Sequence, residues 1–186
     1  MSEQPTLQTG SPLTPPIDAD DHSTGPESVP VTLLEFGDFE CPHCGRAYPI
    51  VKDVKAALGD QLRVVYRHFP LTNMHEHAQM AAEAAEAAAE QGAFWEMHDH
   101  LFEHQDWLTD DDLVSYAVDL GLDGDRFERA LDERTYRDAV REDFLSGVKS
   151  GVNGTPTFFV NGTRYNGEWD RDTFSAALQA AADRKH

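Results

Sequence analysis

The chain has 186 residues and is strongly acidic, with 34 Asp and Glu side chains against 15 Lys and Arg and a formal net charge of −19. This length fits about one domain with a well-buried core. The charge repels nucleic acid and anionic membranes, so both are excluded as partners. No apolar run approaches the roughly 20 residues that span a bilayer, which predicts no membrane insertion.

The first 28 residues have a composition unlike that of the rest of the chain. Residues 1–28 are rich in Pro, Ser, Thr and Asp, and they lack the basic segment and apolar run of a signal peptide. Because such a segment buries little surface, we predict a flexible leader. We also expect a cytoplasmic protein, unless the chain is the processed form of an exported one.

A strand–helix–strand unit is predicted from residue 29 onward. Val31–Phe36 is an apolar run typical of a strand, and a helix is predicted over about 42–58, ending at Gly59. Leu62–Phe69 nearly alternates apolar and polar residues, which predicts a second strand. Two strands joined by a helix of this length indicate a parallel pair with a right-handed crossover.

The middle of the chain, residues 72–150, is predicted to be helical throughout. An Ala-rich helix is predicted to be capped by Thr72 or Asn73 and to run to Gln91. Thr109 is followed by three aspartates, which is typical of a capped helix start. The other predicted helices lie around residues 94–101, 125–131 and 135–150. This region is therefore predicted to be an insertion of four or five helices.

The strand pattern returns after residue 151. Thr157–Val160 is a predicted strand, and Asn161-Gly162 is a type I′ turn signal that leads into an antiparallel strand at Thr163–Tyr165. A last helix is predicted over about 171–182. The sequence therefore predicts an α/β fold, with a βαβ unit and a ββα unit separated by an all-helical subdomain.

The only two cysteines of the chain form a CxxC motif, Cys41-Pro42-His43-Cys44, at the predicted start of a helix. The backbone N–H groups and the positive end of that helix stabilise a thiolate at Cys41. His43 adds a hydrogen-bond donor, or a positive charge when it is protonated. This context favours a redox-active dithiol.

Two other interpretations of the motif stay open from the residues alone. In the first, the cysteine pair provides half of a zinc site, and His43 or other histidines provide the other ligands. Such sites usually use a second cysteine pair, and this chain has none. A static structural disulfide is the other alternative, although so short a loop stabilises weakly. We predict no metal, and we expect five other histidines to be surface or packing residues: His75, His77, His98, His100 and His104.

A resemblance to a known family rests on three stretches of sequence in a fixed order, FGDFECPHCGRAYP, VYRHFPLTNMHEHAQMAAEAAEAA and GVNGTPTFFVNG. Together they resemble the DsbA family of thiol–disulfide oxidoreductases over about residues 29–182. The chain is also similar to the DsbA-like domains that some bacteria fuse to sodium/proton antiporters. The resemblance implies a thioredoxin-like domain over residues 29–71 and 151–182, with residues 72–150 as an inserted helical subdomain.

The resemblance also implies roles for the residues of the motif. Cys41 would be the surface-exposed nucleophile, and Cys44 would be the resolving thiol. Pro42 and His43 would be the dipeptide that tunes both sulfurs, and this dipeptide is that of the oxidising DsbA type. Stabilising the thiolate favours the reduced protein, which makes the disulfide form oxidising.

Two further segments gain expected roles from the same resemblance. Thr155-Pro156 would be a cis-proline loop that binds the backbone of a substrate peptide. Glu35 would lie beneath the disulfide and exchange a proton with the resolving thiol, because burial raises the pKa of a carboxyl group. The alternative for Glu35 is a carboxylate at a strand edge that reaches water. Asp38 and Glu40 are expected to be exposed loop charges, and Glu40 would oppose thiolate formation.

The function that these expectations favour is an enzyme, a protein disulfide oxidoreductase of the oxidising type that needs no cofactor. Its substrates would be protein thiols and disulfides, and a redox partner that the sequence does not identify would recycle it. The alternatives are a cytoplasmic disulfide reductase or isomerase, and a peptide-binding, chaperone-like module on the same fold.

Overall fold

The structure, a computed structural model, describes residues 10–185. This part of the chain contains five strands, seven α-helices and a 3₁₀ turn at Gly59–Gln61. The chain divides into two compact units. The first runs up to Phe36 and adds Arg46–Arg67 and the chain from Ser146 onward, and the second comprises Gly37–Gly45 and His68–Leu145.

A five-stranded sheet forms the centre of the first unit. The last residues of two of its strands, Gly37 and His68, belong to the second unit. The strands are β1 (His22–Thr24), β2 (Val31–Gly37), β3 (Leu62–His68), β4 (Thr157–Val160) and β5 (Thr163–Tyr165). Their order in the sheet is β1-β3-β2-β4-β5, and the pairs β1–β3, β2–β4 and β4–β5 are antiparallel. Helix α1 (Pro42–Leu58) connects β2 to its neighbour β3.

Aromatic side chains fill the core of the first unit. Phe36 of β2 makes an edge-on contact with Phe159 of β4, with ring centroids 5.7 Å apart. Helix α7 (Arg171–Asp183) packs on the sheet through Phe174, whose ring centroid lies 4.9 Å from that of Phe158. The apolar runs of β2 and β4 are buried almost throughout, as expected of strands that are covered on both faces.

The prediction of a flexible leader is wrong for residues 10–28. Strand β1 lies in this segment and pairs with β3, where His22 is opposite Tyr66. Just before it, Asp21 accepts hydrogen bonds from buried Arg67 at 2.7 and 2.8 Å. A buried guanidinium needs a carboxylate partner, and the leader supplies it. Residues 1–9 lie outside the described residues.

Helices make up most of the second unit. They are α2 (Ala78–Ala89), α3 (Phe94–Glu103), α4 (Asp110–Asp119), α5 (Gly124–Asp132) and α6 (Arg137–Lys149), whose last residues belong to the first unit. Helix α2 contacts α3, α4 and α5, and its buried alanines allow close approach of the neighbouring backbones. Within residues 10–185, no helix combines the length and the apolar character that crossing a bilayer requires.

The predicted start of the Ala-rich helix at Thr72 or Asn73 is wrong, because α2 begins at Ala78. The preceding segment, the 71–77 loop, uses its backbone N–H groups elsewhere. Leu71 N donates to an oxygen of Asp38 at 2.9 Å, and His77 N donates to an oxygen of Glu40 at 2.6 Å. These bonds to carboxylates distant in the sequence stabilise a turn conformation of the loop, so the helix begins only at Ala78.

The α/β fold class with a helical insertion is confirmed, but the compact units do not follow the predicted domain boundaries. Residues 37–45, which carry the CxxC motif, group with the helical unit. The ring of Phe39 explains part of this difference, because it packs against Phe102 of α3 with centroids 4.9 Å apart. The segment after β2 is thus anchored among the helices.

Candidate active site

The CxxC motif lies at the N-terminus of α1. Cys41 directly precedes the helix, and its carbonyl oxygen accepts the first intrahelical hydrogen bond from Gly45 N at 3.0 Å. Pro42 occupies the first helical position, where a missing N–H group costs nothing. A sulfur at this position lies where the helix end favours an anion, which suits a thiolate at Cys41.

The prediction of a surface-exposed Cys41 is wrong. Cys41 is only 3% exposed, and Cys44 is fully buried. A turn before the helix draws Cys41 inward, because its backbone N–H donates to Asp38 O at 3.1 Å. Pro42 and His43, between the two cysteines, are exposed, so they form the part of the motif that faces solvent. Cys44 is the more deeply buried of the two thiols, as the resemblance implies.

Gln105 holds the segment before the helix, and no sequence signal predicted this. Its Nε2 donates to Phe39 O at 2.8 Å and to Cys41 O at 2.9 Å. The Gln105 amide lies against Gly45, where a Cβ atom would collide with it. The absence of a side chain at Gly45 therefore leaves the space that this amide occupies.

The prediction of Asp38 as an exposed loop charge is also wrong, since this residue is 1% exposed. One carboxylate oxygen accepts hydrogen bonds from Leu71 N at 2.9 Å and from His75 Nδ1 at 2.7 Å. The other accepts from Glu40 N at 2.8 Å. Three N–H donors compensate for the loss of water, which explains why a carboxylate is tolerated in this buried position.

Glu40 is half-buried, so the expectation of a fully exposed charge is wrong here too. Its Oε2 accepts a hydrogen bond from His77 N at 2.6 Å, immediately before α2. A carboxylate at this place is favoured by the positive end of the helix. The charge of Glu40 is thus partly engaged at a helix N-terminus.

His75 was expected to be a surface or packing residue, but it is the partner of Asp38. Partial burial lowers the pKa of His75, whereas the hydrogen bond and charge of Asp38, followed by the charges of Cys41 and Glu40, raise it. The result is a pKa above the usual 6.5.

The remaining predicted site residues belong to the first unit. Glu35 is 4% exposed in β2 and pairs in register with Phe158 of β4, which excludes the alternative of a carboxylate that reaches water. Its exchange of a proton with Cys44 stays a prediction. The Thr155–Pro156 peptide bond is cis and lies just before β4. The binding of substrate by this segment also stays a prediction.

The family follows from a comparison of the sequence with known families. The thioredoxin family model matches residues 18–180, which is most of the chain. The chain belongs to the thioredoxin family. This confirms the thioredoxin-like fold that the three sequence stretches implied.

Several solved structures are similar to this chain over nearly its whole length. Oxidised BdbD from Bacillus subtilis has a TM-score of 0.81 and 24% identity, covering 94% of this chain and 97% of its own. A thioredoxin-like oxidoreductase from Silicibacter pomeroyi has a TM-score of 0.76 and 29% identity, with coverage of 90% and 92%. A cysteine-to-alanine variant of α-DsbA1 from Wolbachia pipientis has a TM-score of 0.80 and 20% identity, with coverage of 93% and 95%. The resemblance to DsbA-type proteins is confirmed at the level of the fold.

Curated relatives carry a thioredoxin-family segment of this kind within a longer protein. The chain is 52% identical to Na(+)/H(+) antiporter NhaA 3 of Salinispora tropica over 167 residues, which are 89% of this chain and 26% of the relative. It is 45% identical to Na(+)/H(+) antiporter NhaA of Herminiimonas arsenicoxydans, covering 91% of this chain and 27% of the relative. The chain thus spans about a quarter of the length of these relatives.

The expectation of a cytoplasmic location is wrong. The curated relatives are sodium/proton antiporters, and the similar structures include a periplasmic thioredoxin-like protein from Salmonella enterica serovar Typhimurium, with a TM-score of 0.72, 21% identity, and coverage of 92% of this chain and 94% of its own. The expectation rested on the missing signal-peptide pattern in residues 1–28. That pattern carries no information on location in a chain that matches only part of its relatives.

Proposed function

We propose that this protein is a thiol–disulfide oxidoreductase that exchanges disulfides with protein thiols through Cys41 and Cys44. The observation that carries the proposal is the position of Cys41 directly before α1 in a thioredoxin fold, with Cys44 one turn further along. The helix end favours the Cys41 thiolate, which makes this sulfur both a nucleophile and a good leaving group.

In the oxidising direction, a substrate thiolate attacks Cys41 Sγ of the protein disulfide. A mixed disulfide forms as the Cys41–Cys44 bond breaks, and Cys44 leaves as a thiolate that takes up a proton. A second substrate thiolate then attacks the substrate sulfur of the mixed disulfide and releases Cys41 as a thiolate. The substrate loses two electrons and two protons, and the protein disulfide gains the two electrons.

The oxidising direction is supported by the chemistry of the motif. A stabilised Cys41 thiolate lowers the free energy of the reduced form, so the disulfide form accepts electrons readily. Pro42 and His43 are the exposed dipeptide that tunes this balance. In this proposal, Glu35 accepts and returns the proton of Cys44, and Thr155-Pro156 binds the backbone of the substrate. A separate thiol–disulfide partner restores the disulfide.

The reduction potential of the Cys41–Cys44 pair tests the proposal. The protein is equilibrated with glutathione buffers, and Trp fluorescence follows the change, with a Cys44→Ser variant as the control that forms no internal disulfide. We expect a potential well above that of thioredoxin, about −270 mV. A value at or below that of thioredoxin would indicate a reductase, and no disulfide at all would contradict the proposed chemistry.

A substrate assay separates disulfide exchange from peptide binding. We expect Cys41→Ser to abolish the oxidative refolding of a reduced protein substrate, because the nucleophilic sulfur is lost. Full activity of this variant would instead favour a chaperone-like module in which the cysteines only lock the fold.

A further inference from the structure

We infer that Asp38 and His75 form a pair that sets the reactivity of Cys41, in which Asp38 positions the His75 ring and the charge of the imidazolium stabilises the Cys41 thiolate. This inference rests on the proposed role of Cys41 as the nucleophile. Asp38 acts through His75 and is a positioning residue, whereas His75 acts on the sulfur through its charge.

The first support is the way in which Asp38 is built into the start of the active-site segment. Its backbone carbonyl accepts from Cys41 N at 3.1 Å, so carboxylate and nucleophile belong to the same turn. Its side chain is fully buried and holds the Glu40 and Leu71 backbone N–H groups as well as the imidazole. Because so many bonds converge on it, the carboxylate has one fixed position.

The second support is that His75 is held at both its ring and its backbone. A carboxylate oxygen accepts, so Nδ1 of His75 is the donor in the 2.7 Å bond to Asp38. The backbone N–H groups of Met74 and His75 both donate to Leu71 O at 2.9 Å, which fixes the turn that carries the ring. The side chain is 14% exposed, so it is partly withdrawn from water. An imidazole held in this way loses little freedom when it interacts with a neighbouring charge.

The third support is electrostatic. The titratable groups that act on His75 are Asp38, Cys41 and Glu40, and all three are negative when ionised. Partial burial lowers the pKa of His75, but these groups outweigh burial and raise it. Because the interaction of two charges is mutual, a Cys41 thiolate that favours imidazolium is itself favoured by imidazolium. This stabilisation adds to that of the helix end.

The sign of the pH dependence follows from the raised pKa of His75. The imidazolium is present below that pKa, so the extra stabilisation of the thiolate is present there and is lost as the pH rises through it. Asp38 is not the best residue to substitute, because its own negative charge opposes the thiolate while its effect through His75 favours it. Substitution of His75 is expected only to destabilise the thiolate.

The test is a His75→Asn variant with His77→Asn as the matched control. Asparagine places an N–H donor close to the position of Nδ1, so the bond to Asp38 is kept and only the charge is lost. His77 lies in the same loop, and the bond that it makes to Glu40 uses its backbone N–H group. Both variants carry Cys44→Ser, and the rate of Cys41 alkylation by iodoacetamide is measured against pH, since only the thiolate reacts.

We expect His75→Asn to raise the pKa of Cys41, with a roughly three- to tenfold smaller thiolate fraction at pH values below that pKa, and His77→Asn to leave it unchanged. In proteins that keep both cysteines, we expect the equilibrium constant with glutathione to shift towards the disulfide by up to about tenfold, which is about 30 mV. An unchanged alkylation profile in His75→Asn overturns the inference. In that case the proposed function still stands, provided that the wild type forms its disulfide. A wild type that forms no disulfide contradicts the proposed function, whatever the alkylation profile.

A second measurement does not depend on how His75→Asn folds. The pKa of the His75 ring is followed by NMR in the reduced wild type and in Cys41→Ser, with the His77 ring as the internal control. By reciprocity, removal of the thiolate lowers the pKa of His75 and leaves that of His77 unchanged. Equal His75 pKa values in the two proteins contradict the coupling.

Discussion

Two buried carboxylates of different kinds precede the CxxC motif in the chain. Asp38 accepts hydrogen bonds from three N–H donors, which hold its carboxylate in place. Glu35 lies in the centre of an apolar strand, between Leu34 and Phe36, and is also buried. In the proposed mechanism, this carboxyl group takes up and returns the proton of Cys44.

We predict that Glu35→Gln slows the steps in which Cys44 gains or loses a proton. The amide keeps the shape of the side chain but exchanges no proton, so resolution of a preformed mixed disulfide should slow by about 10²-fold, the lower end of general acid–base effects. Single-turnover quenching with a thiol-blocking agent measures this rate. Glu142→Gln, on an exposed part of α6, is the control. Equal rates in wild type and Glu35→Gln would exclude the proton-transfer role.

Because Gln105 contacts Gly45, the effect of Gly45→Ala on the free energy of unfolding should change sign when Gln105 is removed. Alanine is favoured over glycine inside a helix by about 1 kcal/mol, so Gly45→Ala should stabilise α1 when nothing occupies the space. In the wild type, Gln105 occupies it and would lose its bonds to Phe39 and Cys41. Loss of such bonds costs about 1–3 kcal/mol.

We therefore expect Gly45→Ala to be destabilising in the wild type and stabilising in a Gln105→Ala background. Urea denaturation of the four proteins of this double-mutant cycle measures the free energies of unfolding. Gly154→Ala is a control, because a Cβ atom at Gly154 meets nothing within 4 Å. The same effect of Gly45→Ala in both backgrounds would show that the two residues do not compete for space.

At the scale of elements, His68 makes hydrogen bonds to two helices of the second unit, to which it belongs. His68 Nε2 lies 2.7 Å from Glu86 Oε1 of α2, and the His68 backbone N–H donates to Asp143 of α6 at 2.9 Å. The His68 ring also lies 5.9 Å from that of Phe39, two residues before Cys41. One buried residue therefore contacts three separate segments of the second unit.

This arrangement predicts a pH dependence of stability. Burial lowers the pKa of His68, but the hydrogen bond and charge of Glu86 and the charge of Asp143 raise it above 6.5. A raised folded-state pKa means that the stabilisation is fully present below pH 6.5 and is lost as the pH rises through the folded-state value. Each unit of pKa difference corresponds to about 1.4 kcal/mol.

We expect Glu86→Gln to flatten this dependence, because the amide still accepts a hydrogen bond but carries no charge. The free energy of unfolding, measured in urea at pH 6 and pH 8.5, should fall more in the wild type than in Glu86→Gln. The difference between the two proteins removes the contribution of His75, which has the same sign. Glu90→Gln, just after α2 and largely exposed, is the control. Parallel profiles of wild type and Glu86→Gln would exclude this contribution.

Most elements were predictable from local pattern, because their signals are contained within a few residues. Helix α1 follows the prediction at both ends, with Gly59 in the left-handed conformation that ends it. Asn161 and Gly162 both have positive φ, as the type I′ turn signal requires. Strand β1 and the start of α2 were not predictable, because both depend on side chains far away in the sequence.

The same distinction applies to the candidate site. Cys41 and Cys44 are three positions apart in one motif, so their spacing alone predicts that the two thiols lie close together. Asp38 and His75 are 37 positions apart, and Gln105 and Cys41 are 64 apart. No single-sequence pattern links residues at these separations, and an aspartate in a loop has by default the properties of an exposed charge. Only folding brings these groups together.

At the scale of the whole molecule, the excess of carboxylates is the dominant electrostatic feature. Several arginines already form ion pairs, each within one of the two units. Examples are Arg67 with Asp21, Arg134 with Glu83 and Arg171 with Asp53. The net charge of −19 therefore leaves many carboxylates that repel one another in the folded chain.

We predict that sodium chloride raises the thermal midpoint of unfolding at pH 7. Between 0.1 and 1 M salt the Debye length falls from about 10 Å to about 3 Å, which screens the exposed carboxylates more than the buried pairs. Chloride is chosen because sulfate stabilises folded proteins whatever their charge. Repeating the titration near the isoelectric point, about pH 4.6, is the control, since the net repulsion vanishes there. A midpoint at pH 7 that falls with added chloride would mean that the surface ion pairs contribute more to stability than the repulsion removes.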